Sequence, residues 1–162
     1  GSLDFPSYGL GLFVGQNRYS FDVFRQGDYD PQRTEIGKFN DLSRYKEIGI
    51  LTDNMTQSTA EVITAMFKRF NLAHVVGDTT RGWGSVENTY PLHTVIDPSE
   101  SYALLLVNNL TLREDNQPIE GNGVNPDIYI SDTKWREKLD QYFHSQSLIN
   151  ALSREAVAPP RR

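Results

Sequence analysis

Residues Glu47 to Ser85 read EIGILTDNMTQSTAEVITAMFKRFNLAHVVGDTTRGWGS, and this stretch decides the fold. Ile48, Ile50 and Leu51 predict a buried strand over 47–51. Thr52, Asp53, Asn54 and Thr56 break it with turn chemistry. From Ser58 the apolar spacing turns helical. Ile63, Met66, Phe67 and Phe70 fall at i, i+3, i+4 and i+7 on one face, and Lys68 falls on the polar side. Asn71 marks the stop, and Ala73 to Val76 reads as a second short strand closed by Gly77. A helix opening at Ser58 sets a hydroxyl beside unpaired backbone N–H groups, where a nucleophile can sit next to oxyanion donors. The same residues spell a capping box, Ser58 with Glu61 three positions on.

Outward from this stretch the chain continues in short strands. Val86 to Leu92 is one, followed by a loop from His93 to Ser101 that holds Pro98. Tyr102 to Leu110 (YALLLVNNL) is the most apolar run and predicts a strand buried on both faces. Val124 to Ile130 closes the core. Asp132 then predicts the cap of a helix with Trp135, Leu139, Tyr142 and Phe143 at helical spacing, and Ser147 to Val157 reads as a further short helix before a frayed end at 158–162. On the N-terminal side, Leu10 to Val14 is apolar but glycine-rich. Arg18 to Arg25 alternates as a strand does, Gln26 to Pro31 reads as a turn, and Phe39 to Tyr45 as a polar connector. The resulting division is an N-terminal segment over 1–45, a core over 46–131 and a helical tail over 132–162. The fold class is α/β, since strand patterns alternate with helical faces.

The composition bounds the function. The chain has 162 residues, a net charge of -5 and no cysteine. That length suits one domain or a large piece of one. With no basic run, a nucleic-acid partner is not expected. No apolar run is long enough to cross a bilayer. Asp28, Asp30 and Glu35 lack the spacing and ligand set of a calcium loop and read as a solvated acidic turn, so no metal and no cofactor is expected. Gly1-Ser2 reads as a tag remnant, which makes the chain a fragment.

Three blocks carry a family resemblance. They are Thr56-Gln57-Ser58-Thr59-Ala60-Glu61, then Val75-Val76-Gly77-Asp78-Thr79-Thr80-Arg81-Gly82-Trp83-Gly84-Ser85-Val86-Glu87, then Ile119-Glu120-Gly121-Asn122-Gly123-Val124-Asn125-Pro126-Asp127. In that order they resemble the S41 peptidases, the C-terminal processing or tail-specific proteases, whose blocks run S-A-S-x-E, V-V-G-E-x-T-x-G-K-G-S/T-V-Q and I-x-G-x-G-V-x-P-D. The resemblance implies a ClpP/crotonase-like core and cleavage of a polypeptide substrate. It also implies a cell-envelope, periplasmic or secreted location. It places the nucleophile at Ser58 and an oxyanion N–H at Thr59. The family lysine that acts as general base falls at Trp83, and the glutamine that orients it falls at Glu87. Trp83 cannot take a proton. Lys68 lies about three turns down the helix, Lys46 precedes the core strand, Arg81 stays charged, and His74 reads as a structural residue between apolar neighbours.

Three readings follow. One is an S41-like serine peptidase whose base is atypical or lies upstream, where the family also carries an oxyanion strand. The second is a catalytically inactive relative that binds peptides or an apolar ligand. The third is an unrelated α/β domain. Absent upstream strands leave an open sheet edge, through which the chain is expected to form a homo-oligomer.

Overall fold

The strand, loop and helix around Ser58 form as their pattern predicts. In the computed structural model, β3 (Gly49–Thr52) leads through a polar loop into α2 (Thr59–Arg69), which returns to β4 (His74–Gly77). Thr52 pairs with Gly77 and Gly49 with His74, so β3 and β4 run parallel with Ser58 just beyond their C-terminal ends. Before them come α1 (Asp4–Val14), β1 (Tyr19–Arg25), β2 (Asp28–Arg33) and a 3-10 turn over Asn40–Arg44. After them come β5 (Ser85–Pro91), β6 (Ala103–Thr111), β7 (Ile128–Tyr129), α3 (Trp135–Tyr142) and α4 (Gln146–Glu155). The structure describes residues 3–93, 97 and 99–157. The expectations for Gly1-Ser2, for Pro98 and its neighbours at 94–96, and for the 158–162 end lie outside the described residues.

The fold is α/β. One sheet is antiparallel in the order β2-β1-β6-β5, and the other is parallel in the order β3-β4-β7. Helix α2 joins them. Val62, Ala65 and Met66 pack with Leu10, Phe21, Val23, Ile119 and Val124 in one core. Phe67 meets the Phe13 ring edge-on at 5.3 Å. A second core gathers Val76 and Ile128 from the parallel sheet with Trp135, Leu139 and Phe143 of the α3 region and Ile149 and Leu152 of α4. Asn71 ends α2 with φ 51, the left-handed turn that asparagine tolerates.

Several expectations are corrected. Within the N-terminal segment, Asp4–Val14 forms helix α1 despite Pro6 and two glycines. Pro6 lies in the first turn, where an N–H has no helical partner to lose. A Cβ on Gly11 would lie 2.9 Å from the Ile36 carbonyl oxygen, so the glycine permits close packing. The turn at 26–31 is only Gln26-Gly27, both at positive φ, and Pro31 sits inside β2. That strand is a sheet edge, where a proline costs no ladder bond. Strand β3 is also an edge and only half-buried, with Leu51 exposed.

Over 103–107 strand β6 is exposed on both faces. Leu104, Leu105, Leu106 and Val107 are 47%, 64%, 42% and 60% exposed. Lys68 does not face solvent either. Its side chain is 12% exposed, lies 3.2 Å from both Glu114 and Asp127, and donates to the Asn125 carbonyl at 2.6 Å. Asp132 lies two residues before the cap position of α3. Its carboxylate accepts the N–H of Lys134, the residue at the cap position, at 2.8 Å.

Candidate functional site

Ser58 occupies the turn into α2 with φ 58 and ψ -131. A non-glycine residue holds such a conformation at a cost of about 1–3 kcal/mol, and only where its surroundings fix it. Among the described residues the other non-glycine positions with positive φ are three asparagines and Gln26. Glu61 supplies the fixing. Its Oε2 accepts the Ser58 N–H at 2.9 Å, while the Ser58 carbonyl accepts the Glu61 N–H at 2.8 Å. The Ser58 hydroxyl lies over the same N–H in a reciprocal capping box. Because the carbonyl already takes that N–H, the hydroxyl is not the cap's only acceptor.

Glu61 does more than cap. Its side chain is fully buried and reaches across to the glycine-rich loop. Oε1 accepts the Thr80 hydroxyl and the Gly82 N–H, the latter at 2.6 Å. Oε2 also accepts the Trp83 N–H at 2.8 Å. Four donors thus converge on one carboxylate, which fills its acceptor capacity. The Arg81 N–H donates to the Thr56 carbonyl at 2.8 Å, a second tie between loop and helix start.

The third block closes over the other side of the loop. Thr80 Oγ1 accepts the Val124 N–H at 2.7 Å, and the Gly121 N–H donates to the Gly82 carbonyl at 2.9 Å. Glu120 Oε2 takes the N–H groups of Gly84 and Ser85, each at 2.9 Å. The glycines in these motifs are packing requirements. A Cβ on Gly84 would sit 2.5 Å from the Ile119 Cβ, and one on Gly123 would sit 2.3 Å from the Thr80 carbonyl oxygen. Residue spacing alone did not expose the reach of Glu61 across to the loop or the hold of Glu120 on it. The one available signal was an acidic residue in each quoted block.

These contacts bring all four site residues named from the sequence to one small cleft. Ser58, Thr59, Trp83 and Glu87 line a space of about 80 Å³ together with Val62 and Thr111. The Thr59 N–H begins the helix and has no acceptor among the described residues, so it is free to meet an oxyanion. Trp83 is nearly half exposed, with the Arg81 guanidinium 5.6 Å from its ring centroid. Glu87 lies on β5 at a bulge, where its carboxylate accepts the Ser85 hydroxyl at 2.9 Å. No lysine or histidine lines this cleft among the described residues.

The other candidate proton acceptors lie elsewhere. Lys68 is ten residues along the chain from Ser58, about 15 Å at helical rise, and is held by its two carboxylates and a carbonyl. His74 and Lys46 sit at the N-terminal ends of β4 and β3, the opposite end of the sheet from Ser58. The His74 ring stacks edge-on against Tyr142 and Phe143 and lies 3.9 Å from Asp127. Among the described residues the cleft therefore offers the Ser58 hydroxyl and a free backbone N–H, with no lysine or histidine beside them.

A solved structure described as the photosystem II D1 C-terminal processing protease superposes on 80% of this chain with a TM-score of 0.58 and 15% identity. A lipoprotein from Streptococcus agalactiae superposes on 88% of the chain with a TM-score of 0.61 and 19% identity. Mature CPAF superposes on 93% with a TM-score of 0.58 and 16% identity. At these identities the likeness is one of fold. The chain spans 32%, 50% and 42% of those three structures, half of their length or less. The family model for peptidase family S41 matches residues 9–130, from the middle of α1 through β7, and on that match this chain belongs to peptidase family S41.

Proposed function

We propose that this chain is the nucleophile-bearing part of an S41-type serine peptidase that cleaves polypeptides with a base supplied from outside these residues. The observation that carries the reading is Ser58 itself. It is held at φ 58 at the start of α2, with the free Thr59 N–H beside it, in a cleft shared with the glycine loop. Its hydroxyl would attack a peptide carbonyl and the Thr59 N–H would hold the resulting oxyanion. The ClpP/crotonase-like arrangement and the tail-specific branch of the family belong to this reading, as does an envelope, periplasmic or secreted location.

A second reading has its own support. Trp83 stands where the family lysine falls and presents a half-exposed aromatic surface. That favours a catalytically inactive S41 domain whose groove binds peptides. The present cleft of about 80 Å³ is smaller than ordinary ligand pockets of ~300–1,000 Å³, so either role needs further surface to complete the groove. A fluorophosphonate probe separates the two. Labelling at Ser58 that is lost in Ser58→Ala supports the peptidase reading. No labelling of this chain, even within its longer parent protein, supports the binding reading.

A further inference from the structure

The glycine-rich loop fixes two large side chains at the mouth of the cleft. Every N–H from Thr80 to Ser85 has an acceptor. Thr80 donates to the Val124 carbonyl, Arg81 to the Thr56 carbonyl, Gly82 and Trp83 to Glu61, and Gly84 and Ser85 to Glu120. Burial alternates along the same residues. Thr80, Gly82 and Gly84 are buried, while Arg81 and Trp83 between them are exposed. A backbone tied at each position presents its outward side chains from a fixed place, which lowers the ordering cost of binding. The Arg81 guanidinium lies over the Trp83 ring, 5.6 Å from its centroid, and meets no carboxylate among the described residues. A guanidinium resting on an aromatic face keeps its edge N–H donors open to a ligand. Arg81 is tied to the Thr56 carbonyl, two residues before Ser58, and Trp83 lines the Ser58 cleft.

We propose that Arg81, steadied by Trp83, selects a carboxylate on the polypeptide that enters the Ser58 cleft. This rests on the reading that the cleft takes a polypeptide. The carboxylate is either an acidic side chain or a free C-terminus. A planar guanidinium with parallel N–H donors matches a carboxylate in both geometry and charge. The charges around the cleft set where that group binds. Glu87 lines the cleft and Arg81 does not. A ligand carboxylate is therefore repelled from the interior and drawn to the rim at Arg81. Arg81 is a specificity residue in this arrangement and takes no part in breaking the bond.

Tryptophan fluorescence reads this directly. The chain has two tryptophans, and Trp135 is buried in the second core, so a ligand at the cleft changes the Trp83 signal. Short alanine peptides serve as probes. One carries a single glutamate between blocked ends, and its control carries glutamine. Another has a free C-terminal carboxylate, and its control is a C-terminal amide. At least one acid should bind about fivefold tighter than its control, the scale of a partly exposed ion pair, and the arm that does so assigns the source. Arg81→Ala should erase that preference and leave the control peptides and the melting temperature unchanged, since the side chain is exposed. Arg81→Lys should keep part of it, because the charge remains without the planar fork. Equal binding of acids and controls overturns the inference alone, and so does a preference that survives Arg81→Ala. Binding by none of the peptides overturns both the inference and the polypeptide reading. Fluorophosphonate labelling of Ser58 tests the peptidase reading separately and does not depend on Arg81.

Discussion

Glu61 holds the site together, because its two oxygens fix both the Ser58 backbone and the glycine loop. Glu61→Gln would replace one acceptor oxygen with an NH₂ facing N–H and O–H donors. A buried hydrogen bond to a charged group contributes about 1.5–3 kcal/mol, and an unmatched donor adds its own cost. Glu61→Gln should therefore destabilise the fold by about 2–4 kcal/mol, read as a lower melting temperature. A melting temperature equal to that of the unmodified chain would show that loop and helix are held by other contacts. Lys68 makes the complementary case with a positive charge. Removing it leaves Glu114 and Asp127 sharing a half-buried site without a cation. Lys68→Ala should cost about 1–2 kcal/mol. Lys138→Ala, which breaks a more exposed pair with Asp132, should leave the melting temperature nearly unchanged, since solvent screens an exposed pair. Equal losses for the two would mean that the Lys68 pairings are solvent-screened.

Helix α2 was readable in the sequence because its apolar spacing is local and its cap is spelled out at Ser58 and Glu61. Met66 is buried, so Met66→Asp should unfold the domain, an uncompensated buried charge costing about 3–5 kcal/mol. Soluble, cooperative melting of that variant would place the helix face elsewhere. The four residues of the cleft were also legible, because the motif blocks that contain them fold back on one another. Other elements were not legible, for physical reasons. The apolar run of β6 reports what a strand is suited to bury against, not whether anything lies there. Helix α1 hides behind Pro6, Gly9 and Gly11, whose cost is offset by packing against Ile36 and α2 that no local pattern reveals. The polar side of α2 misled as well, since Lys68 meets carboxylates about fifty residues downstream. Another long-range contact fastens α4. Glu47 accepts the N–H groups of Ser145 and His144 and meets the His144 ring at 2.8 Å. Those bonds, the Ser145 N–H first, hold its carboxyl below the ordinary value of 4.5. A depressed carboxyl contributes stability that is present above its unfolded value and lost as pH falls through the folded one. The melting temperature should therefore fall below about pH 4.5, and less steeply in Glu47→Ala, with the remaining slope owed to carboxyls such as Asp115 and Asp132. An unchanged slope in Glu47→Ala would remove Glu47 from the docking of α4.

For the molecule as a whole, the question is whether a positioned serine suffices for catalysis. The chain belongs to a peptidase family, yet it spans half or less of the superposed structures. Within its described residues the cleft holds the Ser58 hydroxyl, the free Thr59 N–H and no lysine or histidine. A serine without a base is a weak nucleophile at neutral pH. A single missing oxyanion donor typically costs about two to three orders of magnitude in rate. This chain alone is therefore expected to cleave casein or a tailed peptide little or not at all. Trp83→Lys puts an amine in the cleft beside Ser58, but Arg81 stands next to it and Glu87 lines the same space. Arg81 disfavours the charged amine and Glu87 favours it, so Glu87→Gln belongs in the same variant to release the proton. Even then the double variant should gain little until a second oxyanion donor is supplied by further chain, because base and donor act on the same transition state. Cleavage by the unmodified chain that Ser58→Ala abolishes would show that a base exists within these residues. In that case His74, at the far end of α2, would have to approach Ser58 by a rearrangement of the loop and sheet.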